Sequence, residues 1–192
     1  MGMDLDRITM KAKLLSALAV AAIVFAGCGT PTHVDTGTIK AATFSFLRTG
    51  PLPEAAFAER RQQVNAFIQE AISNNLAAKG LRAVATGGDV TVAYLIVVGN
   101  NVSTTSINDY FGYGPDAMAL VDKAQTAYTE GAHRGYFEAG TLLIDILDPR
   151  TNKVLARNYV TRPVQENASA DARKARIQEA VNDALKNVRF QR

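Results

Sequence analysis

The stretch GTLLIDILDPRTNKVLARNYVTRPV, Gly140–Val164, decides the fold. Two strand-forming runs, about 140–147 and 154–163, flank Asp148-Pro149-Arg150-Thr151-Asn152. Pro presets a turn dihedral, and Asp and Asn side chains mimic backbone turns, so the group between the runs reverses the chain. The reading is an antiparallel hairpin. Asp145 is the one charge in its first strand, between Ile144 and Ile146. With a five-residue loop, Asp145 faces Arg157 across the ladder, where opposite charges attract by a few tenths to about 1 kcal/mol. A structural ion pair is the leading reading of these two residues. A buried general base and an unpaired exposed acid are the alternatives.

Upstream, DVTVAYLIVVG (89–99) is a second strand. Its nearly continuous apolar character suits a central position or burial on both faces. IKAATFSFLR (39–48) alternates Ala42, Phe44 and Phe46 and reads as a first strand. From Glu54 to Lys79 the apolar residues Val64, Phe67, Ile68, Ile72 and Leu76 recur at helical spacing, and Gly80 follows where a C-terminal cap belongs. Ala170 to Val188 repeats the pattern with Ile177, Val181 and Leu185, and Asn167, Ser169 or Asp171 can cap its start. The expected fold is α+β: an antiparallel β-sheet with two long amphipathic α-helices packed on one face. Val64, Ile68, Ile72, Leu76, Ile177, Val181, Leu185, Val92, Tyr94, Leu142 and Ile144 form the expected core.

The other end of the chain bears on location. Lys11 and Lys13 precede Leu14–Ala26, a run apolar except for Ser16, and Ala26-Gly27 leads into Cys28, the single cysteine. The run is shorter than the roughly 20 residues a bilayer span needs. It has the flanks and the small cut-site residues of a secretory signal. It resembles the bacterial lipoprotein signal, in which the cysteine becomes the acylated first residue of the mature chain. Phe25 stands where that signal usually has Leu. An uncleaved anchor and an ordinary signal are the alternatives. Residues 1–27 are thus expected to be a lipoprotein signal peptide. Residues 28–38, small and polar, are expected to be a flexible tether from lipidated Cys28, reaching at most roughly 35 Å. Residues 39–192 form a single α+β domain. The resemblance implies that Gly29, at the position after the cysteine, is permissive for transfer to the outer membrane.

Loss of the leader removes three bases and two acids, so the net charge falls from +3 to +2. With no second cysteine, stability must come from a packed core. Charge is uneven: residues 85–149 carry eight acids and two bases, residues 150–192 ten bases and four acids. The basic end reads as a solvated helix face, and a secreted lipoprotein gives it no nucleic acid to meet. Segment 110–138 holds six of the chain's fourteen aromatic side chains. Tyr110, Phe111, Tyr113 and Tyr136 are the candidate ligand or partner surface; the alternative is that these rings cover an open sheet face.

Chemistry is sparse. His33 and His133 are the only histidines, too few for a metal site, and there is no phosphate loop and no nucleophile elbow. No catalytic residue, metal or cofactor is expected. The order of elements resembles the bacterial lipoproteins grouped as domain of unknown function 4136. The residues that carry it are Gly140-Thr141-Leu142 with Ile144, Asp145 and Asp148, and Leu76 through Gly80. Ala156 stands where the family usually has Trp, and Asn158 where a small residue is usual. The resemblance implies fold and location and no molecular activity. The expected role is non-enzymatic: a lipid-anchored envelope domain, at the periplasmic face of the outer membrane, held in the bilayer through acylated Cys28 and presented to an envelope protein partner. The alternative is a small-ligand or glycan binding module using aromatic segment 110–137.

Overall fold

A computed structural model describes residues 33–47, 58–100, 104–106, 122, 125, 126, 138–165 and 167–192. In chain order the elements are β1 (Val34–Asp35), β2 (Ile39–Lys40), β3 (Thr43–Phe46), α1 (Ala58–Ala78), β4 (Arg82–Ala83), β5 (Val90–Asn100), β6 (Thr104–Ser106), β7 (Glu138–Leu147), β8 (Val154–Pro163), α2 (Ala170–Leu185) and β9 (Phe190–Gln191). The main sheet runs β1-β8-β7-β5-β3-β4, with β6 also on β5; β2 and β9 form a separate parallel pair.

The chain is α+β, but its sheet is mixed, which corrects the expected antiparallel sheet. β8, β7 and β5 are antiparallel neighbours, whereas β3 runs parallel to both β5 and β4. The cause is the connection. A tight turn reverses direction, while a helix between two strands carries the chain back to the end where it started, so the strands it joins are parallel. α1 is such a crossover between β3 and β4. β1 is the second departure: Val34 and Asp35, placed in the tether by sequence, pair with Arg157 and Ala156 of β8.

Both helices rest against the even-numbered face. Ile68, Ile72 and Leu76 of α1 and Val181 and Leu185 of α2 share one core with Phe44, Val92, Ile144 and Ile146. The odd-numbered face is also apolar and buried, with Ala93, Leu95, Val97, Leu143 and Leu147. That is why β5 reads as apolar on both sides. α1 ends at Gly80, whose φ of 90° needs no Cβ. Leu81 and Gly80 donate their N–H groups to the carbonyls of Leu76 and Ala77, satisfying two of the helix's last acceptors. α2 starts at Ser169, whose hydroxyl accepts from Ala172 N–H. The Lys79 ammonium donates to the Val188 carbonyl at 2.9 Å and joins the two helix ends. Burial, then the nearby Arg189 charge, lowers its pKa below the usual lysine value.

Between β4 and β5 the chain crosses from one side of β3 to the other. Gly88 lies against the Phe44–Ser45 peptide, and an added Cβ would sit 2.6 Å from Phe44 C and Ser45 N. β3 is paired on both sides, so this backbone cannot move away. Asp89 holds the crossing by accepting from the N–H groups of Ala42 and Thr43 and from the Thr43 hydroxyl, each at 2.9 Å. The Ala42 N–H, then the Thr43 hydroxyl and N–H, hold its pKa below the usual carboxylate value. The stability this contributes is present above the unfolded pKa and is lost as pH falls through the folded one. Gly88→Ala is expected to destabilise the domain by about 1–3 kcal/mol, the cost of overpacking. Urea unfolding measures it, and an unchanged midpoint would mean that the crossing has slack.

The hairpin register has an unforeseen source. Leu147 pairs with Val154, so the connection runs through 148–153, and a bulge follows at Leu155. Without that extra residue Asp145 would sit opposite Ala156, with Arg157 on the other face. With it, Asp145 is opposite Arg157. The turn itself is built by Asp148. Its Oδ1 accepts from Arg150 N–H and Thr151 N–H at 2.8 and 3.0 Å, and Asn152 takes φ 55° to close it.

Candidate functional site

Cys28, Tyr110, Phe111, Tyr113 and Tyr136 lie outside the described residues. Asp145 and Arg157 lie within them and meet. Arg157 Nη2 donates to Asp145 Oδ2 at 2.7 Å, and Nε donates to Oδ1 at 2.9 Å. The two side chains are 0% and 3% exposed. Two donors of one guanidinium engaging both carboxylate oxygens is the strongest arrangement available to such a pair. It fixes β7 to β8 on the odd-numbered face. Val34 of β1 lies opposite Arg157 on the far side of β8.

A second site forms on the helix face, from residues that sequence reading gave no functional role. A cavity of about 360 Å³ opens between α1, α2 and the end of the sheet. Its walls are Val64 and Ile68 of α1, Ile177 and Ala180 of α2, and Ile96, Val98, Leu142 and Val160 of the strands. Val64 and Ile177, expected in the core, are only partly buried because their outer faces line this space. Tyr94 is also partly buried; its hydroxyl accepts from Gln69 Nε2 at 3.1 Å. Burial raises the Tyr94 pKa, opposed by that hydrogen bond.

The polar part of the cavity is its rim, where Arg162, Arg173 and Arg176 stand with Gln165. Arg162 forms an ion pair with Asp183. Arg176 Nη2 donates to the Pro163 carbonyl at 2.6 Å. Arg173 Nη2 donates to the Ala168 carbonyl at 3.1 Å, and Nη1 to Gln63 Oε1 at 3.5 Å. No acidic residue is among the described residues that line the cavity. The sequence signal was the excess of bases after residue 150, which reads as a wet helix surface. Helical spacing puts Arg173, Arg176, Ile177 and Ala180 along one side of α2, but it does not tell that this side borders a cavity.

Among the described residues no group of three or more His, Cys, Asp or Glu could hold a metal ion. None of their helices is long and apolar enough to cross a membrane.

Among solved structures, a PDZ domain protein from Parabacteroides distasonis aligns with a TM-score of 0.43 at 13% identity. The alignment covers 74% of this chain and 32% of that one, so this chain spans about a third of its length. A PelC dodecamer from Paraburkholderia phytofirmans, in two crystal forms, aligns with a TM-score of 0.43 at 8% and 7% identity. Each alignment covers 83% of this chain and 96% of the PelC chain. No curated protein matches the chain. The family match takes in the sheet from β1 to β8, both helices and the Asp145–Arg157 clamp: over residues 33–188 the chain matches the family described as "Domain of unknown function (DUF4136)", and it belongs to that family.

Proposed function

We propose that this protein is a bacterial cell-envelope lipoprotein, acylated at Cys28 and held at the periplasmic face of the outer membrane, whose α+β domain acts by non-enzymatic interaction with an envelope partner. The observation that carries the reading is the apolar run Leu14–Ala26 ending in Ala26-Gly27-Cys28, a few residues ahead of the first strand. One acyl chain binds a membrane reversibly, and burial adds about 0.8 kcal/mol per methylene, so several chains on one cysteine make a lasting anchor. Six residues from Cys28 reach Val34, a span of roughly 20 Å at most. Since β1 pairs with β8, an anchor at Cys28 keeps this edge of the sheet near the bilayer and leaves the β4 edge able to face away.

Cys28→Ser is the test. The variant is expected to accumulate as unprocessed precursor, to take no label from radioactive palmitate, and to leave the outer-membrane fraction. A variant that is still cleaved, acylated and recovered with the outer membrane would refute the anchor. The partner is sought by cross-linking the acylated protein in intact envelopes; recovery of the chain alone, at every cross-linker length tried, would count against an interaction role.

A further inference from the structure

We propose that the cavity between the helices and the sheet binds a single-chain anionic amphiphile, with its aliphatic chain along Ile68, Leu142, Val160 and Ile177 and its acidic head at Arg173 and Arg176. The inference goes beyond the anchoring reading and does not depend on Cys28.

Three observations carry it. The first is size. At about 360 Å³ the cavity sits near the lower end of the roughly 300–1,000 Å³ typical of ligand pockets, room for one chain of medium length rather than two. The second is the chemistry of its walls. Below the rim they are aliphatic side chains from α1, α2 and three strands. A peptide there would bury N–H and C=O groups with nothing to pair them, at a cost of a few kcal/mol each, whereas a hydrocarbon chain has no such groups. The third is the sign of the rim. Arg173 and Arg176 are half-buried, and their hydrogen bonds go to the neutral oxygens of Ala168, Gln63 and Pro163. These bonds fix the guanidinium groups in place and use only a minority of their roughly five N–H donors each. Among the described lining residues no carboxylate neutralises either one. A guanidinium pair of this kind suits a carboxylate or phosphate, which it can bind through two prongs, and repels an ammonium head.

The test uses the full chain in its own membranes and a photoreactive laurate with a diazirine near its methyl end. After irradiation, adducts are expected on peptides carrying Ile68, Val160 or Ile177. Unlabelled laurate or lauryl phosphate should displace the probe; laurylamine and inorganic phosphate should not. Stronger displacement by lauryl phosphate would assign a phosphate head, and by laurate a carboxylate head; either supports the site. The combined variant Arg173→Gln and Arg176→Gln should lose labelling about tenfold or more, given the roughly 1.5–3 kcal/mol of a charged hydrogen bond. Ala168→Trp fills the mouth, keeps both arginines and should abolish labelling; it decides the matter if the double variant does not fold. Adducts confined to other peptides would overturn the proposal. So would equal displacement by laurylamine, which means an apolar slot without charge preference, or displacement by inorganic phosphate, which means an anion site. A groove found cross-linked to a second copy of the chain would overturn it as well.

Discussion

Asp145→Ala is expected to lower the unfolding free energy by about 3–5 kcal/mol, the usual cost of leaving one member of a buried ion pair behind. The deleted carboxylate is fully buried, and its removal leaves the Arg157 guanidinium, itself almost without solvent contact, facing the space it filled. A buried charge that loses its two-pronged partner attracts far less compensating water than it lost on folding. Arg157→Ala should cost a similar amount, since it takes both guanidinium donors from the buried carboxylate. Replacing both, with Asp145→Leu and Arg157→Met, removes both charges and keeps apolar volume between Leu143, Leu147 and Ala93. That double variant should recover most of the lost stability or exceed the parent, because two well-packed apolar side chains carry no desolvation cost. Urea unfolding of the parent, both singles and the double alanine variant gives the coupling energy. Singles that each lose less than about 1 kcal/mol would place the pair with exposed ion pairs and overturn this account.

The second large effect is expected at β3. Phe44→Ala should cost about 3–5 kcal/mol, from lost transfer free energy and the cavity left behind. Phe44 is 1% exposed, among the largest fully buried side chains. Its ring meets Phe46 edge to face, centroids 5.7 Å apart, and Phe46 meets Tyr94 in the same manner at 6.5 Å. The neighbouring backbone has little freedom to collapse into the hole. β3 is held by β4 and β5, and Gly88 lies against the Phe44–Ser45 peptide. Tyr159→Ala is the control: that ring is 52% exposed, and surface changes of this kind stay within about 0.5 kcal/mol. If the two variants unfold at the same urea concentration, Phe44 does not anchor the parallel half of the sheet.

Much of this molecule is legible in one dimension. The short apolar, β-branched run Leu142–Leu147 and the period of 3.6 in Val64–Leu76 and Ile177–Leu185 are local properties, so strands and helices can be read from short windows. The helix ends are local too: Gly80 takes the positive φ that ends α1, and Ser169 caps α2 within three residues of itself. Parallel pairing is different. A strand alternates its side chains in the same way whatever the direction of its neighbour, so TFSF carries no mark of lying between β4 and β5; the crossover through α1 settles that. The segment around Val34 reads as polar tether because two residues are too short for any period. It becomes a strand only because β8 offers an unpaired edge. β9 is as short, and Phe190 and Gln191 pair with Ile39 and Lys40 from the opposite end of the domain.

The two sites divide along the same line. The sequence by itself determined that Asp145 and Arg157 lie on facing strands of a hairpin. Only the bulge at Leu155, a feature of the folded ladder, put their side chains on one face. For the arginine-rimmed cavity the sequence determined only an excess of positive charge after residue 150 and an apolar side to each helix. The cavity itself is the gap between two helices and three strands, with walls from residue 64 to residue 180. The packing distance between elements so far apart in the chain is set by how all their side chains fit at once, and no local pattern encodes it.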